Sequence, residues 1–526
     1  MPPRGDGRAP CLIGVGRRTW RPEECGPDGA PEPLEMWESV ARLADADTGR
    51  PGAIQGVQRI DVVYCQAWQY DDPAGRLAER LGVHPQTLHY SGIGGNVPQS
   101  LVSSAARDIV AGDLDLALVV GGEALATTRR LKKEGRKPAW SHPPDTKRRF
   151  PFDTPLEPGE VAHSIFEAWL TFALFENAHR AHLGTGLDEY RHQLGELLSP
   201  LTAVAAANPH AWFRVTRGVE EVIGPTGQNR MVGYPYSKLM TAIMDVDMAA
   251  AVLVASDATA DSLGVPDDRR VYLRGWGYAE DPPALARRSD LWRSGAMEAA
   301  SSAALLGAGA EVDDIAHFDL YSCFASSIGF ALDALGIDPA TARSADPGTA
   351  PERSVSVTGG LAYHGGPGSN YLTHALATMV EILRADPGSL GMVSGVGMHM
   401  HKHVFATYST TPGVLVPPED AAVSARGAMA QTPIVDTFDG PATVASYSVI
   451  HGRDGEPEWA ALICDLAPPA CGGAPRDRTS GAAEVGARCY ARLTDPAALR
   501  DAESDELIGR PVHLATDANG INTAHL

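Results

Sequence analysis

The 526-residue chain is notable first for what it lacks. No stretch approaches 18 uncharged apolar residues, and the N-terminal MPPRGDGRAP carries two arginines with no apolar segment behind them. A membrane-spanning helix and a secretory leader are therefore not expected, and the chain reads as cytoplasmic. Its seven cysteines (Cys11, Cys25, Cys65, Cys323, Cys464, Cys471 and Cys489) are odd in number and have no CxxC spacing, which suits neither a disulfide framework nor a zinc site. Reduced thiols and no metal centre are the expectation. Positive charge is also scarce. With 44 Lys+Arg against 65 Asp+Glu the formal charge is −21, which argues against broad attraction to nucleic acid or to an anionic membrane surface. The remainder is ordinary globular composition, 44% hydrophobic and 21% charged, at a length that allows two or three domains.

The pattern along the chain is that of an α/β protein. Ile60 to Cys65 and Leu116 to Val120 read as buried strands and Pro73 to Leu81 as a helix. Between them a glycine-rich loop, SGIGGN, runs into a helix of small residues. The same order returns later: strand-like residues 317–324, a helix from Ala325 to Leu335, then a glycine loop, a small-residue helix and a strand ending in glycine within TGGLAYHGGPGSN…GMVSGVG. Two segments with one layout point to duplication, with two unrelated βαβ units as the alternative. Residues 126–245 read as an insertion over the sheet, including a helix from Glu160 to Arg180 with apolar residues at i, i+3, i+4 spacing. Beyond about residue 415 short strands with turn signals (Val444 to Ile450, Trp459 to Asp465, Ala487 to Leu493, Arg510 to Leu514) indicate a small β-barrel of the OB type.

The two glycine-loop helices, GGEA at 121–124, DLYSCF at 319–324 and GGLAYHGGPG at 359–368 together resemble the thiolase superfamily, especially its sterol-carrier-protein-type branch. The trailing β domain resembles the extra C-terminal domain of actinobacterial thiolase-like proteins of type 1. The resemblance implies a duplicated thiolase fold, five-layered α/β/α/β/α, with 1–257 as the first half, 258–414 as the second and 415–526 as the OB-like domain. It also implies acyl-CoA as ligand, no covalently bound cofactor, and a homodimer or monomer. In that superfamily a cysteine before the first glycine-rich helix, a second cysteine near the C-terminal strand, a GHP histidine and an Asn or His of NEAF or HDCF carry the chemistry. Aligning Gln99 with the family's C-x-x-G-L-Q run puts Gly94 at the nucleophile, Gly366 at the GHP histidine and Ser394 at the second cysteine. Those three of the four groups are missing, while the HDCF segment survives in part as Tyr321-Ser322-Cys323-Phe324, with Tyr321 at its histidine.

The side chains left to do chemistry are few. Cys323 is the one thiol in a motif, as a nucleophile or acid/base, or else a small buried hydrophobe. Tyr321 and Tyr363 offer hydroxyls to a carbonyl oxygen, or else pack. His364 lies beside the missing GHP histidine. His399, His401 and His403 alternate as if on one face of a strand, and His401 or His403 is placed to replace the lost acid/base, a metal role being disfavoured. Asn96 and Gly94 in the first loop and Tyr363 and Gly366 in the second are the expected substrate contacts. Lys238 and Tyr236 are candidate ligand contacts, and Arg129 and Arg130, in a basic island at 129–149, are candidates for coenzyme A phosphates or an acidic partner, the island otherwise reading as a solvated loop. Residues 415–526, with 16 acidic against 8 basic side chains, do not suit nucleic acid.

Overall fold

A computed structural model describes residues 7–154, 156–467 and 486–526; Cys471 lies outside the described residues. Eleven strands precede the C-terminal region: β1 (Pro10–Thr19), β2 (Arg59–Val62), β3 (Thr87–Tyr90), β4 (Leu116–Ala124), β5 (Met231–Gly233), β6 (Tyr236–Ser237), β7 (Asp247–Ser256), β8 (Val271–Glu280), β9 (Ile315–Asp319), β10 (Leu390–Gly397) and β11 (Lys402–Ser409). Nine of them form one mixed sheet in the order β3-β2-β4-β7-β1-β8-β11-β10-β9. Read outward from its centre, this sheet has one plan twice. On one side β1, β7, β4 and β2 follow in order, with β2 and β4 parallel and the others antiparallel. On the other, β8, β11, β10 and β9 repeat that pattern. The two sides meet where β1 pairs with β8 through Cys11–Tyr272 and Leu12–Val271.

The strands are built for burial on both faces. Every residue of β4 and β7 is buried, and β7 reads as a continuous apolar run, as a strand with both faces covered must. Each side of the sheet also uses a Gly-x-Gly to let a helix approach closely. In β1, a Cβ added at Gly14 or Gly16 would meet the carbonyl oxygens of Ala44 or Val40 on helix Pro33–Asp47. In β8, the same addition at Gly275 or Gly277 would meet those of Ala304 or Ala300 on helix Gly295–Ala308.

Two departures from the sequence reading lie outside the sheet. The helix expected from Glu160 to Arg180 is two pieces, Pro158–Ala162 and Ala168–Leu183, separated at Ser164 with φ 59°. Tertiary contacts break the period: buried Glu160 accepts from the Tyr490 hydroxyl (2.8 Å) and the Leu285 N–H (3.2 Å), and Arg492 donates to the His163 carbonyl and the Ser164 hydroxyl. Secondly, the residues just beyond 415 do not open a strand. They lead into helix Asp420–Gly427, whose last glycine lies against Gly295 of the neighbouring helix.

The barrel comes after that helix. β12 (Gly440–His451), β13 (Pro457–Leu466), β14 (Ala487–Leu493), β15 (Pro511–Thr516) and β16 (Asn522–His525) close a five-stranded ring in the order β12-β13-β14-β16-β15 and back to β12. The hairpin β5–β6 extends it from the insertion, through Gly233 opposite Ile450. Asn177 fixes this junction by donating to the carbonyls of Tyr234 (3.1 Å) and Tyr447 (2.8 Å). Among the described residues no helix is long and apolar enough to cross a membrane.

Candidate active site

Two loops of like sequence face each other at the heart of the sheet. Gly92–Asn96 reads GIGGN and Gly366–Asn370 reads GPGSN, and each opens a 15-residue helix, Val97–Ala111 and Tyr371–Ala385. The third residue of each motif has positive φ, 143° at Gly94 and 54° at Gly368, a conformation that favours glycine. Each loop crosses to the opposite half. Asn96 lies on Gly395 and Gly397 of β10, while Asn370 and Gly368 lie on Gly121 and Glu123 of β4, and in every case a glycine leaves room where a Cβ would collide. The loops touch, since the Gly94 N–H donates to the Ser369 hydroxyl at 3.0 Å. Two helix N-termini, each with partial positive charge and free N–H groups, thus converge on one seam. Both asparagines keep a buried polar atom without a hydrogen-bond partner, Oδ1 of Asn96 and Nδ2 of Asn370.

Tyr321 and Ser394 belong to this seam. The Tyr321 hydroxyl sits against Gly95, in the space a Cβ would occupy, and its N–H donates to the Ser394 hydroxyl at 2.8 Å. Its ring meets Tyr371 edge-on at 5.6 Å, and Tyr371 in turn meets His364 at 5.7 Å. His364 is fully buried with Nε2 unpartnered, and burial pushes its imidazole down to about 3, so it is neutral. His374, 5.3 Å from it, has both ring nitrogens unpartnered and is held well below the usual imidazole range by the same cause. Tyr363 is buried with a free hydroxyl, and the Gly366 N–H donates to the Ile243 carbonyl. From the outer side a cavity of ≈ 260 Å³, lined by Ser100, Ser103, Arg107 and Trp276, reaches Asn96.

No protein-family profile and no curated protein matches the sequence. Solved structures do. A monomeric SCP2-thiolase like protein type 1 (STLP1) from Mycobacterium smegmatis superimposes with a TM-score of 0.81 at 28% identity, over 99% of both chains. This likeness over the whole chain supports the thiolase superfamily, on its SCP2-like branch. An Ltp2-ChsH2(DUF35) aldolase shares the fold at TM-score 0.55 and 14% identity, covering 76% of this chain and 98% of its own. Human mitochondrial 3-ketoacyl-CoA thiolase in complex with CoA shares it at 0.53 and 14%, covering 77% and 98%.

Against the thiolase pattern, the structure brings Gly94, Asn96, Tyr321 and Ser394 together, with His364 one ring away and Tyr363 and Gly366 on the adjoining loop. Other candidates lie apart. The Cys323 thiol points to the Ser327 hydroxyl (3.7 Å) on the helix that follows, and burial pushes it up to about 12. The three alternating histidines do not share a strand face. Gly397 pairs with Lys402, which leaves 398–401 as a hairpin turn with Met398 and Met400 in left-handed conformation (φ 55° and 53°). Buried Arg288 holds that turn by donating to the carbonyls of His399 (2.9 Å) and Met400 (2.7 Å). His401 meets Thr154 Oγ1 at 3.4 Å and is driven to about 2 by burial and by Arg288, while His403 faces Asp281 at 3.2 Å. Lys238 is exposed; Arg129 pairs with Asp245 and Arg130 with Glu134 on the surface.

Sequence reasoning passed over Glu123. It ends the Gly-Gly strand beneath the second loop, almost fully buried, and accepts from the N–H groups of Gln66 (2.7 Å) and Ala67 (2.8 Å) and from the Cys65 thiol (3.5 Å). Burial raises its carboxyl to about 7, where an acid/base group is most useful. A lone acid closing an otherwise apolar strand, GGEA, was the available signal. The close approach at Gly95 can itself be tested. Gly95→Ala is expected to destabilise the protein by about 2 kcal/mol, and Gly95→Ala with Tyr321→Leu to recover part of that loss in urea unfolding, as contacting residues couple.

Proposed function

We propose that this protein binds a coenzyme A thioester in the seam between the two glycine loops and passes its acyl group directly to an acceptor, as an acyltransferase that forms no acyl-enzyme. The observation that carries this reading is the Gly94–Ser369 contact, which joins two helix N-termini where a thioester oxygen would gain charge. Loop N–H groups and the Tyr321 hydroxyl would hold that oxygen, with Asn96, Tyr363 and Gly366 against the substrate and Glu123 exchanging the proton. Cys323 and Cys65, both raised by burial, are thiols rather than thiolates at neutral pH, so neither suits a covalent carrier. His364, His401 and Ser394 are then positioning or neutral hydrogen-bonding groups, and Lys238, Arg129 and Arg130 act at most on the phosphates from a distance. The same reading takes the two sides of the nine-stranded sheet as the two β layers of a five-layered duplicated core and the barrel as OB-like. It takes the chain as a cytoplasmic monomer, like the mycobacterial protein, without nucleic-acid or membrane partners.

A second reading, retro-aldol cleavage of a β-hydroxyacyl-CoA, is favoured by the Tyr321 hydroxyl at the seam and by the shared fold with an aldolase. One experiment separates them. CoA and acyl-CoAs at 100 times Kd are expected to stabilise the protein by about 2.7 kcal/mol in thermal unfolding, with protein mass unchanged after incubation. An acyl adduct on Cys323 would restore the covalent route, and release of an aldehyde or ketone from a β-hydroxyacyl-CoA would select the lyase. An unmoved Tm with every thioester removes coenzyme A from the proposal.

A further inference from the structure

Away from the glycine loops, helices Ala168–Leu183, Leu187–Ala207 and Ala325–Leu335 enclose a second cavity of ≈ 290 Å³. That is at the small end of ligand sites and too small for a nucleotide thioester. Its wall is largely apolar, with Leu183, Leu194, Leu197 and Leu332 among its lining residues. At one end a chain of polar groups satisfies itself. Asp333 Oδ2 lies 2.8 Å from His179 Nε2, and His179 Nδ1 lies 3.1 Å from the Tyr190 hydroxyl. Tyr190 and Tyr236 donate to the two oxygens of Glu176, each at 2.5 Å.

Arg343 is different. It is half-buried in the cavity wall, and its Nε donates to the Pro339 carbonyl at 3.2 Å. Among the described residues its two terminal nitrogens have neither a hydrogen-bond nor an ion-pair partner. A lone guanidinium with a free two-pronged edge, in a wall where Glu176 and His179 are joined through Tyr190 and Asp338 accepts from the Ala340 N–H (2.9 Å), selects a ligand with one planar anionic head and an alkyl body. We infer that this cavity binds a medium-chain carboxylate, its head on Arg343 and its chain along the leucines. The site is distinct from the seam proposed for the thioester and does not depend on that proposal.

The test is calorimetric titration of the full chain with octanoate, acetate, inorganic phosphate and octan-1-ol. Octanoate is expected to bind, acetate and phosphate to bind at least tenfold more weakly, and saturating CoA to leave octanoate binding unchanged. Arg343→Gln, at a position where the guanidinium holds only one carbonyl, is expected to weaken octanoate at least tenfold while octan-1-ol changes less than twofold. Thermal unfolding of the variant verifies its fold, and Arg343→Lys serves as a second variant that keeps the charge but loses the two-pronged geometry, with intermediate affinity. The inference is overturned if octanoate does not bind, if it binds Arg343→Gln as tightly as the parent, if phosphate or acetate matches it, or if CoA displaces it.

Discussion

Alanine at Gly16 or at Gly277 is expected to destabilise the fold by about 3 kcal/mol, read as a shift of the urea midpoint with the slope unchanged. At each position the new methyl would run into a helix carbonyl, Val40 or Ala300, and a backbone oxygen within a helix cannot turn aside as a side chain would. The helix must lift from its strand, and core contacts along its length go with it. Gly26→Ala, where nothing lies within 4 Å of the added atom, is the control and should change stability by less than about 0.5 kcal/mol. Because the two glycines hold corresponding helices on the two sides of the sheet, similar losses at both would show that the duplicated layout extends to energetics. A loss at one site only would show that the halves have diverged in how they bear load.

The second large effect concerns pH. Glu123 holds its proton up to about 7 because burial penalises the charge, against an ordinary value of 4.5. Below about pH 4.5 the carboxyl is protonated whether the chain is folded or not, and the group costs nothing. As pH rises toward 7 the unfolded chain releases this proton while the folded one retains it, so the folded state binds more protons and stability falls, levelling off once both forms are ionised. The whole change amounts to about 3 kcal/mol. Glu123→Gln keeps an acceptor for the Gln66 or Ala67 N–H and has nothing to titrate. The stability of the parent relative to Glu123→Gln should therefore drop by about 3 kcal/mol between pH 4.5 and pH 8. A difference that stays flat across that range would mean that Glu123 is already ionised in the native protein.

The parts of the fold that could be read from the sequence are those with local causes. Helices Pro73–Leu81 and Ala325–Leu335 lie where apolar spacing and flanking glycines put them, because caps and periodicity are written within one segment. Both glycine loops were visible for the same reason: a positive φ demands glycine, and the following helix leaves its own pattern. What escaped depends on contacts distant in sequence. The break at Ser164 is set by Tyr490 and Arg492 of the barrel, and the histidine turn by Arg288, neither of which alters the local rhythm of GMHMHKH. The short edge strand β3, largely exposed, has too little apolar alternation to announce itself. The burial of Glu123 could not be read from GGEA, since nothing nearby in sequence tells that the second glycine loop will cover it.

The attachment of the barrel has an evolutionary consequence. Its strand β12 draws on a hairpin that belongs to the insertion, and Asn177 of the insertion ties both backbones together. A gene segment coding for 415–526 alone would encode a ring stripped of a flank, and the donor left behind would carry an orphaned hairpin. The five strands still close without the hairpin, so a transfer of the module alone would cost it the Gly233 and Asn177 contacts, and one that carries both separated stretches would keep them.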